Sequence, residues 1–282
     1  MRHLLVLALL GAVAAPAGAA GPASPGPATS REAAPLPQVG IELVAPVTSA
    51  SSGPVAIGVD ADVYCSGYLG KPDEAFPAAV VGAETQGLQA MYFQGDVLYV
   101  DIGISRGAVA GQEFWVVRPA SLVYENENDL APVGRIWETP ARLRIICALQ
   151  EESIAEIIAS CDPVVIGDRL APFEPIPIPL VRRTRFATSC DPATGKLTGR
   201  IVAAFDRVTP IGQESIVYLN RGELDGLTPG DFLTVYRYHS ATTEVRTILG
   251  EAAVLTTRER TAVAKIVSMQ DLMGVGDEVE LK

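Results

Sequence analysis

Residues 103–107 run Gly-Ile-Ser-Arg-Gly, the G-x-S-x-G spacing that in serine hydrolases lifts a nucleophilic hydroxyl onto a sharp strand-to-helix turn. Ser105 would then need a histidine base oriented by a carboxylate. Only His3 and His239 exist in the chain, one at its very start and the other far downstream, so the base is poorly supplied. Asp101-Ile102-Gly103 suggests a second chemistry, that of aspartic proteases, which need two facing aspartates sharing a proton. Zinc chemistry would need several His or Cys ligands close together, and none of Cys65, Cys147, Cys161 and Cys190 stands in a C-x-x-C. Residues 124–129, Tyr-Glu-Asn-Glu-Asn-Asp, offer hard oxygens without the spacing of an EF-hand loop and read as a solvated acidic loop. No pair among the 33 acidic residues is singled out for glycoside cleavage. The chain is therefore expected to have no catalytic residue, no metal and no cofactor.

The segment that holds Ser105 recurs, and the recurrence explains the glycines. At one constant offset Tyr99 falls on Tyr218, and Gly103, Gly107 and Gly111 fall on Gly222, Gly226 and Gly230. Val116 and Arg118 fall on Val235 and Arg237, while Ser105 falls on Leu224. Further along, Gly167-Asp168 corresponds to Gly276-Asp277 at a smaller offset, the difference falling in the longer loop of the first copy around residues 125–134. Motif order is preserved, so the chain is internally duplicated. The glycines return without the nucleophile. They are expected to be structural turn residues, placed where a positive φ or a close chain approach excludes a Cβ. An Asn stands at the place of Asp101 in the second copy (Asn220), so the duplication supplies no aspartate pair.

Short runs rich in Val, Ile, Leu and aromatics, broken by Gly, Pro, Asn or Asp, predict strands throughout both copies. Glu151–Ser160, which has some helical composition, is expected to be a strand because its counterpart alternates more clearly. The fold class follows: all-β, with two tandem small β-barrel or sandwich-like repeats joined by a Pro-rich linker. The expected boundaries are 1–19 for a signal peptide, 20–55 for an Ala/Pro/Ser/Gly tether, 56–172 for the first repeat, 173–186 for the linker and 187–282 for the second repeat. Arg2 and His3, an apolar run from Leu4 to Ala15 and the small residues Ala17-Gly18-Ala19 form the leader. That run is too short to span a bilayer, and no later one is long enough, so the expectation is export to the periplasm or cell envelope without a transmembrane segment. The formal charge of −11 disfavours nucleic acid as a partner. Arg182, Arg183 and Arg185 form a basic cluster at the linker's end that could dock an acidic partner, or simply be solvated. Trp115, Tyr236 and Tyr238 could stack on a sugar, although alternation along their strands makes them core candidates first.

An even number of cysteines in an exported chain suggests two disulfides. If residues 142–149 and 153–160 form a hairpin turning near 150–153, Cys147 faces Glu156 and Cys161 lies by Arg142, too far apart along the ladder to bond. Two pairings remain: Cys65–Cys161 with Cys147–Cys190, or Cys65–Cys147 with Cys161–Cys190.

The pattern VYxxGxxxGxxxGDxFxVxR, followed by LGE, AxAKIV and GDxV, resembles the C-terminal β-domain of flagellar assembly protein T, a module also found in exported bacterial envelope proteins that carry LysM domains. The resemblance covers residues 56–282 as two copies and is best over residues 216–281. It implies a non-catalytic interaction or structural module of the cell envelope, associated with an envelope protein or with peptidoglycan. Neither a LysM pattern nor that protein's other domains are found in the chain. The resemblance also implies the first disulfide pairing, Cys65–Cys161 with Cys147–Cys190, the second bond stapling the head of the second repeat onto the first. The rival expectations are a cell-wall hydrolase using unmarked carboxylates and a carbohydrate-binding module.

Overall fold

A computed structural model describes residues 53–282 except 127, 183–184, 208 and 241–244. The expected signal peptide and the tether up to residue 52 lie outside the described residues. The chain starts with β1 (Val55–Ala56), a short helix α1 (Asp60–Tyr64) and β2 (Tyr68–Gly70). Six strands follow: β3 (Ala78–Ala83), β4 (Val97–Val100), β5 (Glu113–Val123), β6 (Gly134–Ala148), β7 (Ser153–Ser160) and β8 (Arg169–Pro172). After β9 (Leu180–Val181) come six more: β10 (Thr198–Ala204), β11 (Ile216–Leu219), β12 (Phe232–Tyr238), β13 (Arg246–Thr257), β14 (Ala262–Met269) and β15 (Glu278–Leu281).

Each set of six closes on itself into a barrel. The first runs β3-β4-β7-β6-β5-β8 and back to β3, with β2 added on the free flank of β6; the second runs β10-β11-β14-β13-β12-β15 and back to β10. The two circuits are the same when strands are matched in chain order, and the matching extends to register. Val100, Tyr99 and Leu98 pair with Val80, Gly82 and Ala83; Leu219, Tyr218 and Val217 pair with Ile201, Ala203 and Ala204, with a bulge at the same place. Both bulges of the β6–β7 hairpin, after Arg142 and after Ile145, recur in β13–β14 after Glu251 and after Val254. Bulges bend a ladder so that a short sheet can close. Their recurrence at matching positions means that both copies solve closure in the same way.

Each barrel is filled by the inward residues of its strands, among them Leu98, Val100, Phe114, Leu143, Ile157 and Leu170 in the first and Val217, Leu219, Leu233, Val254, Ile266 and Val279 in the second. A third apolar cluster lies between the barrels and combines Ile57, Val63, Tyr68 and Leu69 with the outward residues Val202, Ile216, Tyr218, Leu255 and Val263 of the second. Strands of the second barrel are thus buried on both faces, which is why β11 is continuously apolar and β13 is buried without a break from Ile248 to Leu255. The Pro-rich stretch is pinned where β9 pairs antiparallel with β1.

The β6–β7 hairpin forms, but in a different register from the expected one. Cys147 faces Ile154, Glu156 faces Arg144, and the Cys161 amide donates to the Pro140 carbonyl. The slip is set at the turn, which closes on Gln150 and Glu151, with Ala148 facing Ser153 and the Leu149 amide donating to the Glu152 carbonyl. The two bulges lie on opposite strands and cancel.

Candidate functional site

Construction of the seam between the barrels begins with α1. Its Asp62 carboxylate accepts from the Val59 backbone N–H at 2.8 Å, closing the first turn, and the Cys65 amide caps the other end on the Ala61 carbonyl. Gly67 then turns the chain at φ +61, with the Trp137 carbonyl so close that a Cβ could not be placed, and delivers β2 onto β6. Cys65 is joined to Cys161, at the end of β7, with Cα atoms 5.7 Å apart. The bond ties α1 to the first barrel, and the side chains beyond it reach the second. Tyr218 Oη donates to the Ser66 carbonyl at 2.7 Å, and Thr261 Oγ1 donates to the Leu69 carbonyl at 2.5 Å. Lys265 Nζ sits 2.8 Å from Asp62 and 2.7 Å from Glu214. Burial pulls the Lys265 ammonium towards losing its proton, but these two carboxylates outweigh it and hold the group above its ordinary value.

The second disulfide expected is not formed: Cys147 and Cys190 are both free and exposed. Cys147 stands on the outward side of β6, whereas Cys190 lies in a turn ahead of the second barrel. Asp191 holds that turn by accepting from the Thr188 amide, the Thr188 hydroxyl and Arg185 Nη2, and Arg185 lowers the carboxyl to about 2. Cohesion of the two lobes comes instead from the apolar layer around α1 and β2.

The six glycines fall into three matched pairs. Gly103 and Gly222 have ordinary extended backbone, but a Cβ would strike the turn that closes the neighbouring hairpin: Gln150 O and Glu151 C at 2.5 Å in the first copy, Thr261 N at 2.5 Å and the Arg258 carbonyl in the second. Gly107 and Gly226 end one-turn 3-10 helices in the left-handed conformation, and Gly111 and Gly230 also have positive φ. Ser105 lies in the first of these one-turn helices, exposed, with its hydroxyl donating to Glu151 Oε2 at 3.0 Å. The Asp101 carboxylate accepts from the Ala79 amide at 2.6 Å.

A second repeated device is ionic. Arg118 reaches Asp168 through Nε at 2.9 Å and Nη2 at 2.7 Å, and Arg237 reaches Asp277 in the same way at 2.6 and 2.8 Å. Both carboxylates are buried, and each also accepts a backbone N–H, from Val165 and Gly274. The hydrogen bonds from Asp168 and Asp277 push both guanidinium groups above their ordinary values. The pairs clamp β5 to the turn before β8, and β12 to the turn before β15.

One cleft of a size that suits a small ligand has an aromatic wall. It opens between the lobes, encloses about 650 Å³, and is lined by Tyr64, Tyr68, Trp115 and Arg258 among others. Its aromatic wall continues into Phe173, whose ring lies 4.9 Å from Trp115. The Arg258 guanidinium lies over the Tyr68 ring at 3.9 Å. Burial, followed by the Glu74 carboxylate, drives the Tyr68 phenol well above its usual range, so it remains a hydrogen-bond donor. Glu223 and Glu259 add carboxylates from the second repeat. Of the three aromatics named from sequence, Trp115 lines this cleft, Tyr236 is buried with Arg246 over its ring, and Tyr238 is exposed against Tyr236. Tyr64 and Tyr68 were not named from sequence, because the positions of α1 and β2 depend on a disulfide and a tertiary seam.

Among the described residues no group of three or more His, Cys, Asp or Glu is placed to hold a metal, and no helix is long and apolar enough to cross a membrane. No family model matches the chain, and no curated protein matches it.

Proposed function

We propose that this chain is an exported, non-catalytic interaction module of the bacterial cell envelope, built as one two-lobed body. The observation that carries the reading is what the duplication keeps. Bulges, turn glycines and Arg–Asp clamps recur at matching positions, while Ser105, Asp101 and Trp115 are replaced by Leu224, Asn220 and Thr234. Such a pattern suits a rigid scaffold that presents surfaces. The leader-like N-terminus, the seam disulfide and the resemblance to the flagellar assembly protein T domain support an envelope location. Cell fractionation with N-terminal sequencing tests it. Mature chain starting near Ala20 in the periplasmic or envelope fraction is expected; chain retained in the cytoplasm with Met1 intact would overturn the reading.

The interlobe cleft favours a second reading, a saccharide-binding module. Partly exposed Trp115 and Tyr64 offer faces for sugar rings, and Arg258 with Glu74 and Glu223 offers groups for hydroxyls. Titration with peptidoglycan oligosaccharides while following tryptophan emission tests it. Saturable quenching lost in Trp115→Ala is expected on this reading, and no response at millimolar sugar would exclude it.

A further inference from the structure

The two barrels carry the same outward apolar face, but among the described residues only one is covered. On the second barrel Val202, Tyr218 and Leu255 are 5%, 0% and 0% exposed, in one cluster with α1, β2 and residues of β5 and β6. Their counterparts on the first, by strand and register, are Val81, Tyr99 and Ile146, exposed by 42%, 36% and 51%. Ile216 and Val263 correspond to Val97 and Ile154, which continue the patch. Types match at all five positions, so the first barrel keeps a docking face that nothing in its own chain occupies among the described residues. A contiguous apolar patch of this kind marks an interaction surface.

The charge at its edge indicates what would cover it. Where the second barrel has Lys265, met by Asp62 of the docked segment, the first has Glu156. Glu156 is exposed, and Arg144 across the ladder is engaged by Glu113 at 2.8 Å. A segment covering this face must bring a cation where α1 brings Asp62. The duplication points to its source. The second barrel is covered in part by the segment that precedes the first barrel, together with Val123 and Ile136 of β5 and β6, and the segment that precedes the second barrel contains Arg182, Arg183 and Arg185. Arg182, Leu180 and Cys190 on it are exposed.

We propose that the first barrel's outer face (Val81, Tyr99, Ile146, Ile154 and Glu156) docks the basic segment ahead of the second barrel in another copy of this chain, in head-to-tail association. The contact is heterologous, so it generates species beyond a dimer, as a ring or a filament. It repeats between chains the contact already made once within the chain, with the charges reversed. It is independent of where the chain resides and of any ligand in the cleft.

Sedimentation velocity of the purified chain over a wide concentration range, with circular dichroism to verify folding, tests the proposal. The expected result is concentration-dependent growth past the dimer, abolished by Tyr99→Glu and by Ile146→Glu, both at exposed positions. Glu156→Lys should weaken association about tenfold or more, the scale of one close charge pair lost and a repulsive one gained. Mixing Glu156→Lys chain with chain carrying Arg182→Glu, at a position exposed in the structure, should restore it. Maleimide labelling of Cys147, beside Ile154 on the same face, should slow as the oligomer forms. A chain that stays monomeric at every concentration overturns the proposal. So does association that stops at a dimer, or that is unchanged in two folded variants, Tyr99→Glu and Ile146→Glu.

Discussion

Gly222→Ala and Gly226→Ala stand four residues apart and test two different reasons for a glycine. At Gly226 φ is +88 and an added Cβ meets nothing within 4 Å, so the cost is left-handed strain alone, about 1–2 kcal/mol. At Gly222 φ is −146, which alanine adopts freely, but the Cβ would overlap the Arg258 carbonyl and lie 2.5 Å from Thr261 N and 2.8 Å from Arg260 C. Relief requires the turn between β13 and β14 to move off the one-turn helix. That turn is held there by Glu223 N–H to Arg258 O and Leu224 N–H to Glu259 O, each at 2.9 Å. Loss of both bonds at about 1 kcal/mol each, with residual overlap, gives about 3 kcal/mol or more. Gly222→Ala should therefore be the costlier of the two, although its dihedrals are the more ordinary. Denaturant unfolding followed by circular dichroism measures this, provided the m-values agree. A Gly226→Ala loss exceeding that of Gly222→Ala, or two losses within 0.5 kcal/mol of zero, would refute the close-approach argument.

Cys65→Ser with Cys161→Ser should lower stability by about 2–5 kcal/mol, since the bond closes a separation of 96 residues, and denaturant midpoints with and without reductant should coincide in the double variant. Glu280 is buried, which by itself raises its pKa, but Arg246 at 2.6 Å and the Thr194 amide outweigh burial and hold it below its ordinary value. Its contribution is present above the unfolded carboxyl's pKa and is lost as pH falls through the lower folded value. Glu280→Gln should flatten the acid limb of a stability profile below about pH 5, and an unchanged limb would contradict this. Ser105→Ala should cost under about 0.5 kcal/mol in the same unfolding assay, as an exposed hydroxyl on a solvated carboxylate, and a larger loss would show a structural role for the Ser105–Glu151 contact.

Much of the fold was legible because the chain states it twice. Gly103 and Gly222, or Arg118 and Arg237 with Asp168 and Asp277, stand out as repeated columns, and each has a backbone or ionic reason in the structure. Strand type at Glu151–Ser160 was decided by comparison with its clearer copy. What depends on non-local packing was hidden. The five-residue α1 carries one buried residue, Val63, and its sequence does not announce that it wedges between lobes. A tighter turn at Gln150 and Glu151 displaced the cysteine register, and Cys147 and Cys190 look like partners by number alone. The unbroken apolar run of β11 was visible, and in retrospect it signalled burial on both faces. The cleft was the least legible feature, because Tyr68, Trp115 and Arg258 meet there only after two barrels and a disulfide have formed.

The central claim, that the chain binds and does not turn over envelope material, is tested most directly by prolonged incubation of the purified chain with intact peptidoglycan, with mass spectrometry of the soluble fraction. The account predicts no released fragment beyond a heat-inactivated control. Soluble glycan or peptide fragments that accumulate in proportion to the chain, and cease on substitution of Glu74, Glu223 or Ser105, would contradict it.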